Sequence, residues 1–430
     1  MAAATKLTRI RAIARARFWR ANPRANLAAM SRRLLARSAA SGAVPIVPTA
    51  VLTAAFAAVL AGCATPAAPP PAAATPAPPP AAPAPAVAPP PVPGTPALPE
   101  PVVPMPLEQA RAAFVRDTAA QYGLDPAYIE SVLARAQIRD SIVAAMSRPA
   151  EAKPWRDYRP IFITQARIDG GRAFLAEHRA RLARAEAQYG VPAEVIVAIL
   201  GVETSYGANT GRYPVLDALY TLAFAYPRSG DPAKADRENR REAFFRGELG
   251  QLFALGKEAG LDITALTGSY AGAMGWGQFM PSSYREFAVD GDGDGKRDLF
   301  GNLDDVFASV ANYFVKKGGW VRGGPVTLPA ARDPGAAEIA PEALEPVYTV
   351  ADLQARGYRP RGAVAPEEPA TLLTLDGANG PEYWLGFRNF YAITRYNISK
   401  HYAMAVYQLA EAIAGRADPL AAAAAEPPPA

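Results

Sequence analysis

The most informative stretch of this 430-residue chain is Gly268-Ser269-Tyr270-Ala271-Gly272-Ala273-Met274-Gly275-Trp276-Gly277-Gln278-Phe279-Met280-Pro281-Ser282-Ser283-Tyr284. Four glycines alternate here with small, aromatic and amide side chains, and glycine allows a close approach of the backbone to a ligand. No Lys-Ser/Thr pair follows, so the block is not a phosphate-binding loop. Its aromatic rings, with Ser269 and Gln278 as hydrogen-bonding groups, would suit a saccharide. Taken alone, however, the pattern favours a tightly packed corner between two helices.

A carboxylate ends a very apolar predicted helix. This helix starts at Pro192 and continues through 195–200, which are apolar on all sides and should therefore be buried. It runs directly into Glu203. Burial disfavours a charged carboxylate and raises its pKa, as a general acid requires near neutral pH. The alternative is a Glu at a helix end that pairs with a surface Arg, and composition and spacing alone favour this second interpretation.

An acidic loop follows the glycine-rich block. Asp290, Asp292 and Asp294 stand at positions 1, 3 and 5 of an EF-hand-type calcium loop, with glycine at position 6. Lys296 would supply a backbone carbonyl, and Asp304 is predicted to replace the missing Glu of position 12 in a longer loop. Three clustered carboxylates would repel one another without a cation. We therefore expect structural Ca²⁺ and no organic cofactor; Na⁺, Mg²⁺ or a solvated acidic turn are the alternatives.

Together these features resemble the membrane-bound lytic murein transglycosylase B family. The resemblance covers residues 107–416 in order, and the glycine-rich block is its most specific part. One departure lies beside Arg228, where Ser229 occupies the position of an expected second Arg. The other segments that carry the resemblance are 201–207, 216–219, 226–228, 309–314 and 393–397.

The resemblance implies a lysozyme-like enzyme that cleaves the MurNAc–GlcNAc β-1,4 bond of peptidoglycan without water and leaves a 1,6-anhydroMurNAc end. Glu203 matches the single catalytic acid/base of the family: it would protonate the glycosidic oxygen and then take the proton of the MurNAc C6 hydroxyl. Ser269 and Gln278 match positions that line the saccharide groove. The resemblance also implies substrate-binding roles, each against the alternative of an ordinary core or surface residue, for Tyr158, Arg228, Tyr313, Tyr396, Asn397 and Tyr402.

Two other functions remain open on the sequence. A lysozyme-type hydrolase of peptidoglycan would use water and would need a positioned base. A non-catalytic lipoprotein would only bind the cell wall. Peptidoglycan glycan strands are the expected ligand in all three cases, and proteins of cell-wall synthesis or division are candidate partners.

The folded unit, 107–416, is predicted to be mostly helical α+β, with a lysozyme-like core, an EF-hand-type metal loop and a small inserted β region. We expect a helical part at about 107–190, the core at about 191–320 and 383–416, and the β region at about 321–382. Asp125, followed by Pro126, predicts the start of a helix. Helices are predicted from 107, 126 and 192 and at 174–189, 214–225, 242–259, 303–317 and 399–414; strands are predicted around 325–329, 347–350, 371–376, 383–387 and 390–394.

The N-terminal segment carries the positive charge of the chain. The formal net charge is +5, yet residues 1–62 hold ten Lys and Arg and no acidic residue, which leaves 35 basic and 40 acidic residues elsewhere. A nucleic-acid ligand is therefore not expected. The uninterrupted apolar run 50–61 is too short for a permanent bilayer-spanning helix. A basic stretch before such a run is typical of a secretory signal, here 1–62.

Cys63 is the only cysteine, and with Leu60-Ala61-Gly62 before it the site resembles a bacterial lipobox. We expect cleavage before Cys63 and acyl chains that anchor the protein to a membrane; a small buried cysteine is the alternative. Ala64, rather than Asp, favours the periplasmic face of the outer membrane. Residues 64–106 contain 19 Pro in 43 positions, so 63–106 should form an anchored, extended tether. The tail 417–430 is expected to be disordered.

Overall fold

Helices dominate the part of the chain that the computed structural model describes, residues 106–147, 153–341 and 343–418. The predicted signal peptide, Cys63, the tether up to residue 105 and the tail from 419 onward lie outside these residues. The helices are α1 (Leu107–Tyr122), α2 (Pro126–Leu133), α3 (Asp140–Met146), α4 (Trp155–Phe162), α5 (Gln165–Glu177), α6 (Arg179–Tyr189), α7 (Ala193–Thr204), α8 (Val215–Phe224), α9 (Pro232–Ala259), α10 (Pro281–Phe287), α11 (Leu303–Tyr313), α12 (Val350–Ala355), α13 (Arg388–Thr394) and α14 (Lys400–Ile413).

A small sheet is inserted late in the chain, which confirms the mostly helical α+β prediction. Its order is β4-β6-β7-β3-β5, and neighbouring strands are antiparallel. A separate two-stranded ribbon joins β1 to β2. The strands are β1 (Tyr213–Pro214), β2 (Thr267–Gly268), β3 (Thr327–Arg332), β4 (Tyr348–Thr349), β5 (Tyr358–Pro360), β6 (Pro369–Gly377) and β7 (Gly380–Gly386). The sheet therefore extends four residues beyond the predicted boundary at 382.

Asp-Pro pairs start two of the helices. Asp125 caps α2 as predicted, because its carboxylate accepts a hydrogen bond from the Ala127 amide at 2.9 Å. Asp231 caps α9 in the same way, with the Ala233 amide at 3.0 Å. The predicted start of this helix at 242 was therefore wrong by ten residues. The Asp231-Pro232 pair is the same helix-start signal as in α2.

Two further predictions of secondary structure were wrong. Residues 390–394, predicted as a strand from their strand-like alternation, form most of α13. Asn389 holds that helix in place, because its amide donates to the carbonyls of Val321 and Gly324 at 2.8 Å and its oxygen accepts from the Val321 amide at 2.7 Å. The predicted helix 174–189 is broken at His178, whose ring packs 4.4 Å from that of Phe174.

The main hydrophobic core surrounds α7. Residues 195–201 of this helix are all buried, which confirms the expectation from their composition. The helix packs against α5, α6 and, across the core, α14. The sheet is buried on both faces: alternate residues such as Leu373 and Trp384 join the main core, whereas Leu372 and Leu385 pack with α12 in a smaller one.

Among the described residues, no single helix combines the length and apolar character needed to cross a membrane. Only α6 and α7 taken as a pair meet that criterion, and the chain bends by 112° between them.

We expect that Asp217→Ala lowers the free energy of unfolding by about 2 kcal/mol. Asp217 on α8 is buried and accepts hydrogen bonds from the Gln137 amide at 2.9 Å and the Arg139 guanidinium at 2.7–2.8 Å, so its loss leaves these donors unpaired. Urea denaturation measures the change. The control Asp169→Ala, at an exposed position, should change stability by less than about 0.5 kcal/mol. Equal losses in the two variants would contradict the prediction.

Candidate functional site

Glu203 lies in the last turn of α7, where the buried helix reaches the surface of the core. Its side chain is partly exposed. The residues before it are buried, and α14 packs alongside and presents Tyr402, which is only 3% exposed. The apolar sequence of α7 therefore places one carboxylate at the boundary between core and solvent.

The Tyr402 hydroxyl donates a hydrogen bond to Oε1 of Glu203. Burial raises the pKa of Glu203 to about 7, against the lowering effect of this hydrogen bond. The protonated and ionised forms are then both well populated near neutral pH, as required of a group that gives up a proton and takes one back. The nearby Glu203 charge, together with burial, raises the pKa of Tyr402 well above its ordinary value, so its hydroxyl stays a donor.

The turn that follows Glu203 is strained. Ser205 and Tyr206 have φ values of 50° and 60°, in the left-handed region, which costs roughly 1–3 kcal/mol per non-glycine residue. Arg167 on α5 helps to hold both: its guanidinium donates to the Ser205 hydroxyl at 3.1 Å, and its carbonyl accepts from the Tyr206 hydroxyl at 2.7 Å. Sequence reasoning missed Arg167, because nothing in the local pattern of α5 marks a contact with this turn.

Aromatic rings form one wall beside Glu203. The Tyr313 and Tyr396 rings lie 4.9 Å apart, and Phe279 of the glycine-rich block packs 5.6 Å and 5.9 Å from them. The Tyr396 hydroxyl donates to the Gly277 carbonyl at 2.6 Å, and burial with the Glu203 charge raises its pKa well above the ordinary value. Burial raises the pKa of Tyr313 to about 12. The structure thus brings both predicted tyrosines to the site, with the hydroxyl of Tyr396 already bound to the backbone.

Ser269 and Gln278 shape the glycine-rich block. The Ser269 hydroxyl oxygen accepts from the amides of Ala271 at 3.3 Å and Ala273 at 3.1 Å. The Gln278 amide donates to the carbonyls of Thr210 and Gly275, both at 3.0 Å, and so ties the block to the segment after Glu203. These bonds leave the Gln278 side-chain oxygen and the Ser269 hydroxyl proton to face other partners.

The glycines of the block permit close packing within the protein. A Cβ on Gly268 would lie 2.2 Å from the Ala273 carbonyl oxygen, so no larger residue fits there. The block is tightly packed, but it is built from the end of β2 and the antiparallel bridges Gly268–Met274 and Met274–Phe279 rather than from the predicted corner between two helices. The polar groups of Ser269 and Gln278 lie within it.

The other predicted substrate-binding residues, Tyr158, Asn397 and Arg228, lie in three different parts of the structure. Tyr158 is buried against the rings of Phe162 and His401, at 5.1 Å and 5.6 Å, and raises the pKa of the neighbouring Tyr402. Asn397 is partly buried in the segment between α13 and α14. Arg228 donates to Asn239 and Glu242 of α9, both at 2.8 Å, and its described contacts do not include the Glu203 turn.

The acidic loop gathers three carboxylates. Oxygens of Asp290, Asp292 and Asp305 all lie within 4.8 Å of one another. Asp290 accepts hydrogen bonds from three amides of the loop, at 2.6–3.2 Å, and Asp305 accepts from the amides of Gly291 and Asp298 at 2.7 Å and 2.6 Å. Burial and the charges of Asp292 and Asp290 raise the pKa of Asp305. A cation would offset that repulsion, so the three carboxylates fit a hard, oxygen-liganded metal ion.

The structure differs from the prediction for Asp304. Arg184 and Arg181 of α6 bind its carboxylate at 2.6 Å and 3.3 Å, whereas the adjacent Asp305 completes the carboxylate cluster. Asp294 lies outside that cluster and accepts from the Lys296 amide at 2.8 Å. Adjacent residues of a helix point about 100° apart, so the first turn of α11 can send only one of the two aspartates into the loop.

A surface cavity of about 590 Å³ opens beside the first turn of α14 and the β6–β7 hairpin, and Glu203 does not line it. Two of its charged groups are already engaged: the Lys400 ammonium donates to the Thr374 carbonyl at 2.6 Å, and Asp376 pairs with Arg156 at 2.5 Å. We assign no ligand to it.

Known proteins resemble this chain over most of the described residues. Residues 107–411 match the family described as Transglycosylase SLT domain. Membrane-bound lytic murein transglycosylase B of Escherichia coli K12 is 40% identical over 311 residues, which are 70% of this chain and 81% of that protein. Soluble lytic transglycosylase SltB1 of Pseudomonas aeruginosa is 45% identical, with a TM-score of 0.63 over 71% of this chain and 98% of that one. The Escherichia coli lytic transglycosylase Slt35 in complex with calcium is 40% identical, with a TM-score of 0.62 over 71% and 92%.

We predict that Glu203→Gln stabilises the protein above neutral pH but not in acid. The pKa of Glu203 is about 7 in the folded protein against an ordinary 4.5, so the folded state binds more protons between these values and wild-type stability falls as pH rises. Glutamine does not titrate, so the variant should gain up to about 3 kcal/mol above pH 7 and nothing near pH 4. Urea denaturation across this range measures the difference.

The matched control is Glu177→Gln, at an exposed position on α5. This variant should show no pH-dependent difference from the wild type. A Glu203→Gln effect that is equally large in acid would mean that the Glu203 pKa is not raised.

Proposed function

The chain belongs to the transglycosylase SLT domain family, and we propose that it is a lytic transglycosylase that cleaves the MurNAc–GlcNAc β-1,4 bond of peptidoglycan and leaves 1,6-anhydroMurNAc ends. One observation carries the proposal. Glu203 stands at the edge of the core with a pKa of about 7, its Oε1 bound by Tyr402, beside a wall of aromatic rings. This arrangement suits an acid and base that acts on a sugar.

In the proposed reaction Glu203 acts twice. Its protonated carboxyl donates the proton to the glycosidic oxygen, the C1–O bond breaks and GlcNAc leaves with a free hydroxyl. Positive charge at the MurNAc anomeric carbon is shared with the N-acetyl group of the same sugar. The Glu203 carboxylate then takes the proton of the C6 hydroxyl as O6 bonds to C1, and the 1,6-anhydro ring closes. Glu203 ends protonated, so the cycle needs neither water nor a further proton source.

Tyr402 supports both states of this carboxyl group. Its hydroxyl donates to Oε1, so Oε2 is the oxygen that exchanges the proton with the substrate. A donor at Oε1 stabilises the carboxylate formed after the first transfer. Burial favours the protonated form before it. Because these two effects oppose each other, the protonated and the ionised carboxyl group of Glu203 remain close in free energy.

The electrostatic surroundings of Glu203 favour the lyase over a hydrolase of lysozyme type. Ordinary glycosidases use a second carboxylate about 5–9.5 Å away to attack the sugar or activate water. A negative charge so close would raise the pKa of the acid. Burial raises the pKa of Glu203 and the hydrogen bond from Tyr402 lowers it, and neither effect comes from a second carboxylate.

We propose that the glycan lies along the aromatic wall and the glycine-rich block. Tyr396, which is partly exposed, would offer its ring to a sugar, whereas Tyr313 is buried behind it and donates its hydroxyl to the Arg395 carbonyl at 2.7 Å. The Gln278 side-chain oxygen and the Ser269 hydroxyl offer hydrogen bonds beside them. Tyr158 and Asn397 would border the same groove. Arg228, held by α9 and lacking a second Arg at Ser229, would contact the strand only at a distance from the reacting bond.

We further propose that the acidic loop binds structural Ca²⁺. Asp290, Asp292 and Asp305 would hold the ion through their carboxylates, with Lys296 adding a backbone carbonyl. The calcium complex of the similar Slt35 supports this choice of ion. The ion would neutralise the three carboxylates and join the loop to the start of α11.

The location of the protein is also part of the proposal. A signal peptide at 1–62, lipidation at Cys63 and the tether to 106 would hold the enzyme at the periplasmic face of the outer membrane. The similar Escherichia coli protein is membrane-bound by name. A tether that lets the catalytic unit reach glycan strands away from the membrane fits this role, and cell-wall synthesis or division proteins remain candidate partners.

The decisive experiment compares muropeptides released from purified peptidoglycan by the wild type, Glu203→Gln and the control Glu177→Gln. We expect anhydro products, lighter by one water than reducing ends, from the wild type and the control. Loss of the acid should slow their release by about 100-fold or more. Mass spectrometry identifies the ends. Reducing ends would instead make the enzyme a hydrolase, and no release by the wild type would leave only a wall-binding role.

Calcium should raise the melting temperature through the loop, since an ion that binds only the folded state stabilises it by about 2.7 kcal/mol at 100 times its Kd. We expect Asp305→Asn to abolish the calcium-dependent rise and Asp304→Asn to retain it, because only Asp305 joins the carboxylate cluster. Differential scanning calorimetry with calcium, magnesium or chelator measures the effect. The opposite pattern in the two variants would restore Asp304 as the ligand.

A further inference from the structure

We propose that Trp276 is a positioning residue for Glu203: it transmits the order of the acidic loop, 290–305, to the strained turn that follows the catalytic carboxylate. This inference rests on the proposed roles of Glu203 and of calcium. It concerns Trp276, which belongs to the glycine-rich block but was assigned no task there.

The first half of the connection runs from the loop to Trp276. Asp305 binds the Asp298 amide at 2.6 Å, and the Asp298 carboxylate in turn binds the amides of Phe300 and Gly301 at 2.8 Å and 2.9 Å. This arrangement orients the backbone at 299–300. The carbonyls of Leu299 and Phe300 then accept the main-chain N–H and the indole N–H of Trp276, each at 3.0 Å. Both donors of Trp276 are therefore used by the last part of the loop.

The second half runs from Trp276 to the turn. The Thr204 hydroxyl shares its proton between the carbonyls of Trp276 and Leu200, both at 3.1 Å, and its oxygen accepts from the Gly207 amide at 3.1 Å. The indole ring covers Gly207 so closely that a Cβ there would lie 2.3 Å from the ring. Thr204 directly follows Glu203, and Gly207 ends the strained turn. Trp276 therefore contacts the turn at both of its ends.

A strained turn keeps its conformation only if neighbouring residues hold it in place. Ser205 and Tyr206 remain in the left-handed region only while the surrounding contacts oppose their relaxation. Arg167 holds the turn from the α5 side, and Trp276 holds it from the loop side. If the loop loses order, the indole is free to move and the turn can relax. Glu203 would then shift relative to Tyr402, which is fixed in the core by α14.

The proposal makes calcium and the catalytic turn reciprocally linked. Calcium that orders the loop should protect the turn, and a turn freed from Trp276 should no longer sense calcium. Trp276→Phe is the informative change, because it removes the indole N–H and the outer six-membered ring that covers Gly207, whereas the main-chain hydrogen bond from residue 276 to the Leu299 carbonyl remains. Trp320→Phe is the matched control: its indole N–H also donates to a backbone carbonyl, that of Gly190, at 3.0 Å, but outside this path.

The test measures amide hydrogen exchange by mass spectrometry in peptides that cover 200–210 and 290–305, with calcium and with chelator, on the full chain. In the wild type and Trp320→Phe, calcium should slow exchange in both segments. In Trp276→Phe, calcium should still protect the loop but should slow exchange in the turn at least about fivefold less, because one hydrogen bond and the ring contact with Gly207 are both lost. Calorimetry confirms that calcium still binds each variant.

A kinetic readout accompanies it. Trp276→Phe should lower kcat about fivefold with little change in KM, and chelation should lower the kcat of the wild type but not that of the variant. Equal calcium protection of the turn in Trp276→Phe and the wild type, the same loss in Trp320→Phe, or no calcium effect in the wild type would each overturn the proposal. Intact exchange coupling in a protein that releases no muropeptides would support the connection and refute the proposed function instead.

Discussion

The hydrogen bond from Tyr402 to Glu203 joins residues 199 positions apart in the chain, and it forms only because α7 and α14 pack side by side in the core. Around this contact two physical effects oppose each other. Burial disfavours the Glu203 charge, whereas the Tyr402 donor stabilises it. The pKa near 7 is the balance, and it would be lost if either helix moved by the length of one hydrogen bond.

Much of the remaining structure serves to hold that contact. The small sheet, together with α12, is inserted between α11 and α13. Because both of its faces are buried, the sheet holds the start of α13 and α14 against the core. On the other side, Arg167 and Trp276 hold the strained turn that follows Glu203. The acidic loop lies behind Trp276. The calcium ion that we propose in this loop would therefore affect catalysis through Trp276, without any contact with substrate.

Sequence patterns predicted the parts that depend on local chemistry. The wholly apolar α7 and the Asp125-Pro126 helix start were both confirmed, because burial and capping follow directly from residue type and order. Residues 390–394 misled the prediction, since their intrinsic preference for a strand is outweighed by the contacts that Asn389 makes with the segment 321–324. At the break, the His178 ring also packs 5.9 Å from that of Phe307 on α11, a contact with a distant segment that no local pattern reveals.

For the candidate site, local sequence determines some features and tertiary packing determines the others. From its residues alone, the chain specifies a buried helix ending in Glu203, a glycine-rich corner and a loop of clustered carboxylates, because composition and spacing decide these locally. Only the tertiary structure decided that Tyr402 binds Glu203, that Asp305 rather than Asp304 joins the carboxylate cluster, and that Trp276 contacts both the acidic loop and the turn after Glu203. Each of these depends on the direction in which a side chain points after distant segments pack together. Local residue type and spacing do not determine that direction.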